Sequence, residues 1–183
     1  MTTAPLPYDN RFTLVVMGVS GSGKTTFGIA IAKAKGIAFF DGDDLHSSEA
    51  RAKMTAGIPL TDEDRAPWLE RIGNLLVDAA AHPDGAIVAC SALRRAYRDR
   101  LRAIVGPSLQ FLFLKGDKAL MRSRVADRKG HYMPASLIDS QFAALESPEG
   151  ESDVVTISAD ADFSRVLDAV IERLSHAPGV SPR

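Results

Sequence analysis

The chain has 183 residues, 45% of them hydrophobic, which suits one domain with a sizeable buried core. Its 22 basic and 23 acidic residues leave a net charge of -1, so no overall field favours nucleic acid or an anionic membrane, and arginine clusters must be read locally. The one cysteine, Cys90, excludes an internal disulfide, no apolar run is long enough to span a bilayer, and the opening MTTAPLPYDN lacks the charged-then-apolar pattern of a signal peptide; a cytoplasmic protein is expected.

Met1 to Asn10, with two prolines, reads as a loose lead-in. The apolar run from Phe12 to Met17 then predicts a buried strand, and Gly18 to Thr25 reads GVSGSGKT, which fits GxxxxGKS/T without a mismatch. Strand, glycine loop and helix in that order are what phosphate binding needs. Backbone N–H groups along Gly18, Val19, Ser20, Gly21, Ser22 and Gly23, followed by a helix N-terminus, form a nest of positive partial charge for the phosphates of a nucleotide. Lys24 is spaced to reach the β- and γ-phosphates, and the Thr25 hydroxyl to ligate Mg²⁺. The first helix ends near Lys35, with Gly36 as C-cap.

Ile37 to Phe40 predicts a second strand, delivering Asp41-Gly42-Asp43-Asp44 at its C-terminal edge, where ligands bind in an open parallel sheet. Leu45 to Gly57 reads as helical until Ile58-Pro59-Leu60 breaks it. Thr61 as N-cap with Asp64 three residues on starts another helix, whose apolar positions Trp68, Leu69, Ile72, Leu75, Leu76 and Ala79 carry it to about Ala81. His82 to Gly85 is a turn. Ala86 to Cys90 predicts a buried central strand opening onto Ser91-Ala92-Leu93 and a basic helix from about Arg94 to Val105. Leu109 to Leu114 is a further strand, followed by a helix from about Asp117 to Arg128, a polar loop Lys129 to Pro134, and a helix from Ser136 to Glu146. Val154 to Ile157 is the last strand and Phe163 to Leu174 the last helix, with a frayed tail from His176.

Five strands alternating with helices require crossovers, so the expected fold is a three-layer α/β domain: a five-stranded parallel sheet with helices on both faces. Phosphoryl transfer asks the protein for an in-line acceptor oxygen, neutralised phosphate charge and excluded water. A lid with cations would meet the last requirement, and Arg122, Arg124, Arg128, Lys129 and His131 lie on or beside the loop before Pro134, within a lid segment of about 122–136. Arg124 and Arg128, four apart, share a helical face, as they would on a merely solvated basic helix. Of Asp41 and Asp43, one suits the Mg²⁺ shell and the other the acceptor hydroxyl. Arg65, with Arg94, Arg98 and Arg102 at spacing four, implies an anionic second substrate, although surface arginines at such spacing are common.

Taken together, MGVSGSGKT (17–25), FFDGDDLH (39–46), KMTAGIPLTDEDRAPWL (53–69), CSALRRAYRDRLR (90–102), FLKGD (113–117), SRVADRKGHYM (123–133) and QFAALESP (141–148) resemble the gluconate kinases of the P-loop kinase group. The resemblance spans Leu14 to Leu174. It implies ATP-dependent phosphorylation of D-gluconate at its terminal hydroxyl, giving 6-phospho-D-gluconate, on a fold similar to shikimate and adenylate kinases. By that resemblance Gly21, Gly23, Lys24, Thr25 and Thr26 bind ATP and its metal, and Arg124 and Arg128 are lid arginines; Asp41 is the residue expected beside Thr25 in the metal shell from its place at the strand end. Asp43 meets the acceptor hydroxyl, and Arg65 with Arg98 holds the sugar acid. His46, Ser91, His131 and Gln141 match positions assigned to the same acceptor pocket. The resemblance also implies a homodimer. Many relatives have proline after the histidine of the Asp-Gly-Asp segment, where this chain has Ser47.

Two other readings stand beside it. A kinase for another small anion such as shikimate would favour a run of glycines after the third strand, where this chain has Ser91-Ala92-Leu93. A non-metabolic ATP-dependent switch would lack an acceptor pocket.

Overall fold

A computed structural model describes residues 11–78, 82, 84–126 and 135–175. Its strands are β1 (Phe12–Met17), β2 (Ala38–Asp41), β3 (Gly85–Ala89), β4 (Leu109–Lys115) and β5 (Val154–Ser158). The helices are α1 (Lys24–Lys35), α2 (Ser48–Thr55), α3 (Asp62–Val77), α4 (Arg95–Val105), α5 (Lys118–Ala126), α6 (Ala135–Ala144) and α7 (Phe163–Ser175), with a short 3-10 turn over Gly42–Leu45.

All pairings are parallel and the strand order is β2-β3-β1-β4-β5. Because β1 is flanked by β3 on one side and β4 on the other, the strand order reverses at its C-terminal end, which is where a ligand crevice opens in such sheets. Every residue of β1 is buried, and alternation along it feeds two cores. Leu14 and Val16 pack with Phe27 and Ile31 of α1, Met121 and Val125 of α5, Ile138 of α6, and Val170 and Leu174 of α7. Val15 and Met17 pack with Trp68, Leu69, Ile72 and Leu76 of α3 and Tyr97 and Leu101 of α4. Helices therefore cover both faces, as the alternation of elements requires.

The local signals hold where their chemistry is local. Thr61 and Asp64 form a complete capping box at the start of α3, and Gly36 caps α1 in a left-handed conformation. Ser47, the departure from the common proline, is itself the N-cap of α2: its hydroxyl accepts from Ala50 N at 3.2 Å. Of the boundaries that differ, two lie beside the site. β2 runs one residue later than expected, because Asp41 pairs in register with Ala89 of β3, and the segment expected to be helical from Leu45 divides into the 3-10 turn and a shorter α2. The lead-in before Arg11, Ala79 to Ala81, the loop before Pro134 and the tail from His176 lie outside the described residues.

Candidate active site

The loop between β1 and α1 owes its shape to backbone that only glycine adopts easily. Gly21 has φ of 85°, and a Cβ there would lie 3.1 Å from both the Met121 carbonyl oxygen and Val125 Cγ2 of α5. α1 begins at Lys24 with no side-chain cap and no acidic residue in its first turn, so its N-terminal dipole is left for an anion. Lys24 Nζ folds back to donate to the Val19 carbonyl at 3.2 Å, Thr26 is exposed, and Gly18 N donates to the Ser91 carbonyl at 3.4 Å, tying the loop to the end of β3.

The acidic turn stands beside this loop. Thr25 Oγ1 donates to Asp41 Oδ2 at 3.2 Å, and Asp43 N donates to Asp41 Oδ1 at 3.1 Å, so the hydroxyl and carboxylate expected around Mg²⁺ are adjacent hard oxygen donors. The turn is fastened from beneath. Gly42 lies so close to β3 that a Cβ would sit 2.4 Å from the Ala89 carbonyl oxygen, and its own carbonyl accepts from Trp68 Nε1 at 2.7 Å. Burial raises the Asp43 pKa, neighbouring Asp41 raises it further, Lys24 opposes this, and Asp44 adds a smaller increase. Asp43 thus feels the phosphate-side lysine and its own acidic neighbours at once.

One turn further on, His46 is only 7% exposed and stacks on Trp68 with centroids 4.3 Å apart and planes 11° from parallel. Burial and the positive charges of Arg65, Arg71 and Arg51 lower its pKa to about 4, which keeps the imidazole neutral near pH 7. These three arginines bond to backbone carbonyls. Arg65 donates to Leu60 O and, at 3.5 Å, to Thr61 O; Arg71 Nε donates to Leu45 O at 2.7 Å; Arg51 donates to His46 O at 3.0 Å and Asp44 O at 2.7 Å. Among the described residues none of the three makes an ion pair, although Asp62 feels the charge of Arg65 and Glu49 that of Arg71. Arg51 and Arg71 were not singled out by sequence; the signal available was an arginine five residues after His46 and another three after Trp68.

Other expected site residues sit elsewhere. Arg98, expected beside Arg65 on the sugar acid, is fully buried. Its guanidinium is held by Glu151 at 2.6 Å and by the carbonyls of Ala92 and Leu93 at 3.1 and 3.2 Å. With no exposed surface, it spends its donors on the protein itself. Arg94 pairs with Asp62, which also accepts from the Tyr97 hydroxyl, while Arg102 is held by Glu151 and Asp153. Gln141, expected in the acceptor pocket, bonds the phosphate loop: Ser20 N donates to its Oε1 at 2.7 Å, and its Nε2 donates to Ser20 Oγ at 2.9 Å. Arg124 donates to the Ala159 carbonyl just past β5 at 2.7 Å, and Arg122 pairs with Asp139. Arg128 and His131 lie outside the described residues.

A glycine phosphate loop at the reversal point of a five-stranded parallel sheet, with an acidic turn across from its lysine, defines a P-loop small-molecule kinase. Residues 14–148 match the family model described as an AAA domain. The chain is 43% identical over 157 residues to the thermosensitive gluconokinase of Escherichia coli, covering 85% of this chain and 83% of that protein. A solved gluconokinase from Sinorhizobium meliloti superposes with a TM-score of 0.80 at 44% identity, covering 91% of this chain and 94% of that one. Shikimate kinase from Aquifex aeolicus, at 11% identity and a TM-score of 0.56 over 89% of this chain and 96% of that one, shares the fold alone. The chain belongs to the gluconokinase family.

Proposed function

We propose that this protein is a gluconokinase, transferring the γ-phosphoryl group of ATP to the terminal hydroxyl of D-gluconate and releasing ADP and 6-phospho-D-gluconate. The observation that carries the reading is the position of Asp43, which feels Lys24 of the phosphate loop on one side and is followed by His46 with the carbonyl-bound Arg51, Arg65 and Arg71 on the other. A triphosphate and a carboxylate repel each other, so separate cationic pockets flanking one carboxylate are what an anionic acceptor requires.

In this reading the glycine loop from Gly21 on, with Lys24, Thr25 and Thr26, holds the phosphates, and Thr25 with Asp41 would hold Mg²⁺. The ion, when bound, neutralises charge on the phosphate oxygens. Asp43 orients the terminal hydroxyl and takes its proton as the new O–P bond forms and the bond to the β–γ bridging oxygen breaks. Arg65, with Arg51 and Arg71 beside it, holds the sugar carboxylate bidentately. Ser91 anchors the loop through its carbonyl. Arg128 and His131 are proposed for the same reaction on resemblance alone, as is a homodimer; a cytoplasmic location is proposed because the one cysteine is a buried free thiol. Among the described residues no helix is long and apolar enough to cross a membrane.

A coupled ADP-release assay over sugar acids, sugars and shikimate tests the acceptor. D-gluconate is expected to give the highest kcat/KM; stronger turnover with shikimate, or ADP release independent of any acceptor, would sink the reading. The acid limb of kcat/KM is expected above the ordinary aspartate range, because Asp43 must be ionised to accept a proton and its pKa is raised. A limb at or below that range would remove Asp43 from the role.

A further inference from the structure

A phosphate-binding loop works only if its N–H groups are aimed before the nucleotide arrives. Yet a loop with glycines at 18, 21 and 23, all at positive φ, has a backbone that side-chain sterics do little to fix. Something outside the loop must hold it. Two side-chain bonds reach it from 121 residues further along the chain, both from Gln141 of α6 and both to Ser20.

The chemistry of that contact is specific. Ser20 N can only donate, so the Gln141 carbonyl must face it, which leaves the amide NH₂ pointing at the Ser20 hydroxyl, an oxygen that accepts. A carboxamide alone offers a donor and an acceptor side by side without charge, and a charge here would lie next to a triphosphate. The helix that carries Gln141 is itself braced. Asp139, two residues earlier, pairs with Lys118 at 2.8 Å and Arg122 at 2.6 Å on α5, and α5 places the Met121 carbonyl against Gly21. The loop is bracketed at consecutive residues, Ser20 by α6 and Gly21 by α5.

We propose that Gln141 is a positioning residue for the nucleotide, not a ligand of the acceptor: it occupies the Ser20 N–H and hydroxyl, fixing the loop so that the N–H groups that follow form the phosphate cradle. This rests on the loop being the ATP site and not on which acceptor is phosphorylated.

The test is a double-mutant cycle with two readouts, calorimetric titration of a non-hydrolysable ATP analogue with no acceptor present, and the KM for gluconate. Gln141→Ala is expected to weaken analogue binding about tenfold while the gluconate KM stays within about twofold. Ser20→Ala, which removes the hydroxyl and leaves the backbone bond, should weaken it about threefold, and the double variant should be no worse than Gln141→Ala. Unchanged analogue affinity in Gln141→Ala, a gluconate KM that rises about tenfold instead, or single effects that multiply in the double variant would each overturn the proposal. Should Gln141→Ala not fold, Gln141→Glu decides. It can still accept from both Ser20 groups but sets a negative charge beside the phosphates, so the analogue is expected to bind more weakly with the gluconate KM held, and a rise in the gluconate KM alone overturns the assignment. Because the titration needs no acceptor, an error about gluconate leaves this result standing.

Discussion

Two groups of arginines in this protein do opposite work. Arg98 and Arg102 of α4 are bound by carboxylates, Glu151 and Asp153, and stitch the segment before β5 onto the helix. Arg51, Arg65 and Arg71 are bound by carbonyls of the chain around Leu45 and Leu60. A carbonyl fixes the direction of a guanidinium without cancelling its charge, whereas a carboxylate does both. The first group is therefore part of the scaffold, and the second keeps positive charge beside His46, whose pKa is lowered first by burial and then by these arginines. Spacing on a helix cannot separate these roles; the chemistry of the partner does.

The comparison breaks most directly at Arg98. Arg98→Ala removes the fully buried half of the pair with Glu151, which Arg102 still holds, and is expected to cost about 3 kcal/mol of stability in urea denaturation, with the gluconate KM of the folded fraction unchanged. A KM that rises while stability holds would return Arg98 to the acceptor pocket. Next in size is the pH dependence of His46. Unfolded, it titrates near 6.5; folded, near 4. Below pH 6.5 the unfolded chain therefore binds a proton that the folded one refuses, and the stability this supplies, present above 6.5, is lost as pH falls towards 4. The loss is about 3 kcal/mol over that window, and His46→Gln should lack it when the two proteins are denatured at pH 7 and pH 4.5. Identical slopes would mean that neither burial nor the arginines keep the imidazole neutral. Arg65→Ala should raise the gluconate KM about thirtyfold, some 2 kcal/mol, with the ATP KM within about twofold; equal rises in both would move Arg65 out of the acceptor pocket. The smallest effect is expected from Arg71→Ala, about fivefold in the gluconate KM, since its charge acts on the pocket from behind Leu45.

What the sequence revealed follows the range of each interaction. The phosphate loop, the Thr61 capping box and the Gly36 cap involve residues within a few positions of one another, and all three are found as read. The five strands and their helical crossovers were legible from apolar runs, which also require parallel pairing. The end of β2 was not: it lies at the sheet edge and is half-buried throughout, so its end is set by pairing with β3 and not by apolarity. In the site, helical spacing put Arg98 on a plausible face of α4, but its fate was decided by Glu151, 53 positions away, and that of Gln141 by Ser20, 121 positions away. Such partners become visible only when the chain is folded.

Cys90 stands just past β3, one residue before Ser91 whose carbonyl receives the phosphate loop. It is 1% exposed, and burial pushes its thiol up to about 12, so it offers neither access nor thiolate to an electrophile while the sheet is closed. With no second thiol in the chain, alkylation reports only on openings that expose Cys90 at the end of β3. The enzyme thus carries a native chemical clock for its own breathing, and the rate at which ATP slows that clock measures how firmly the nucleotide holds the centre of the sheet together.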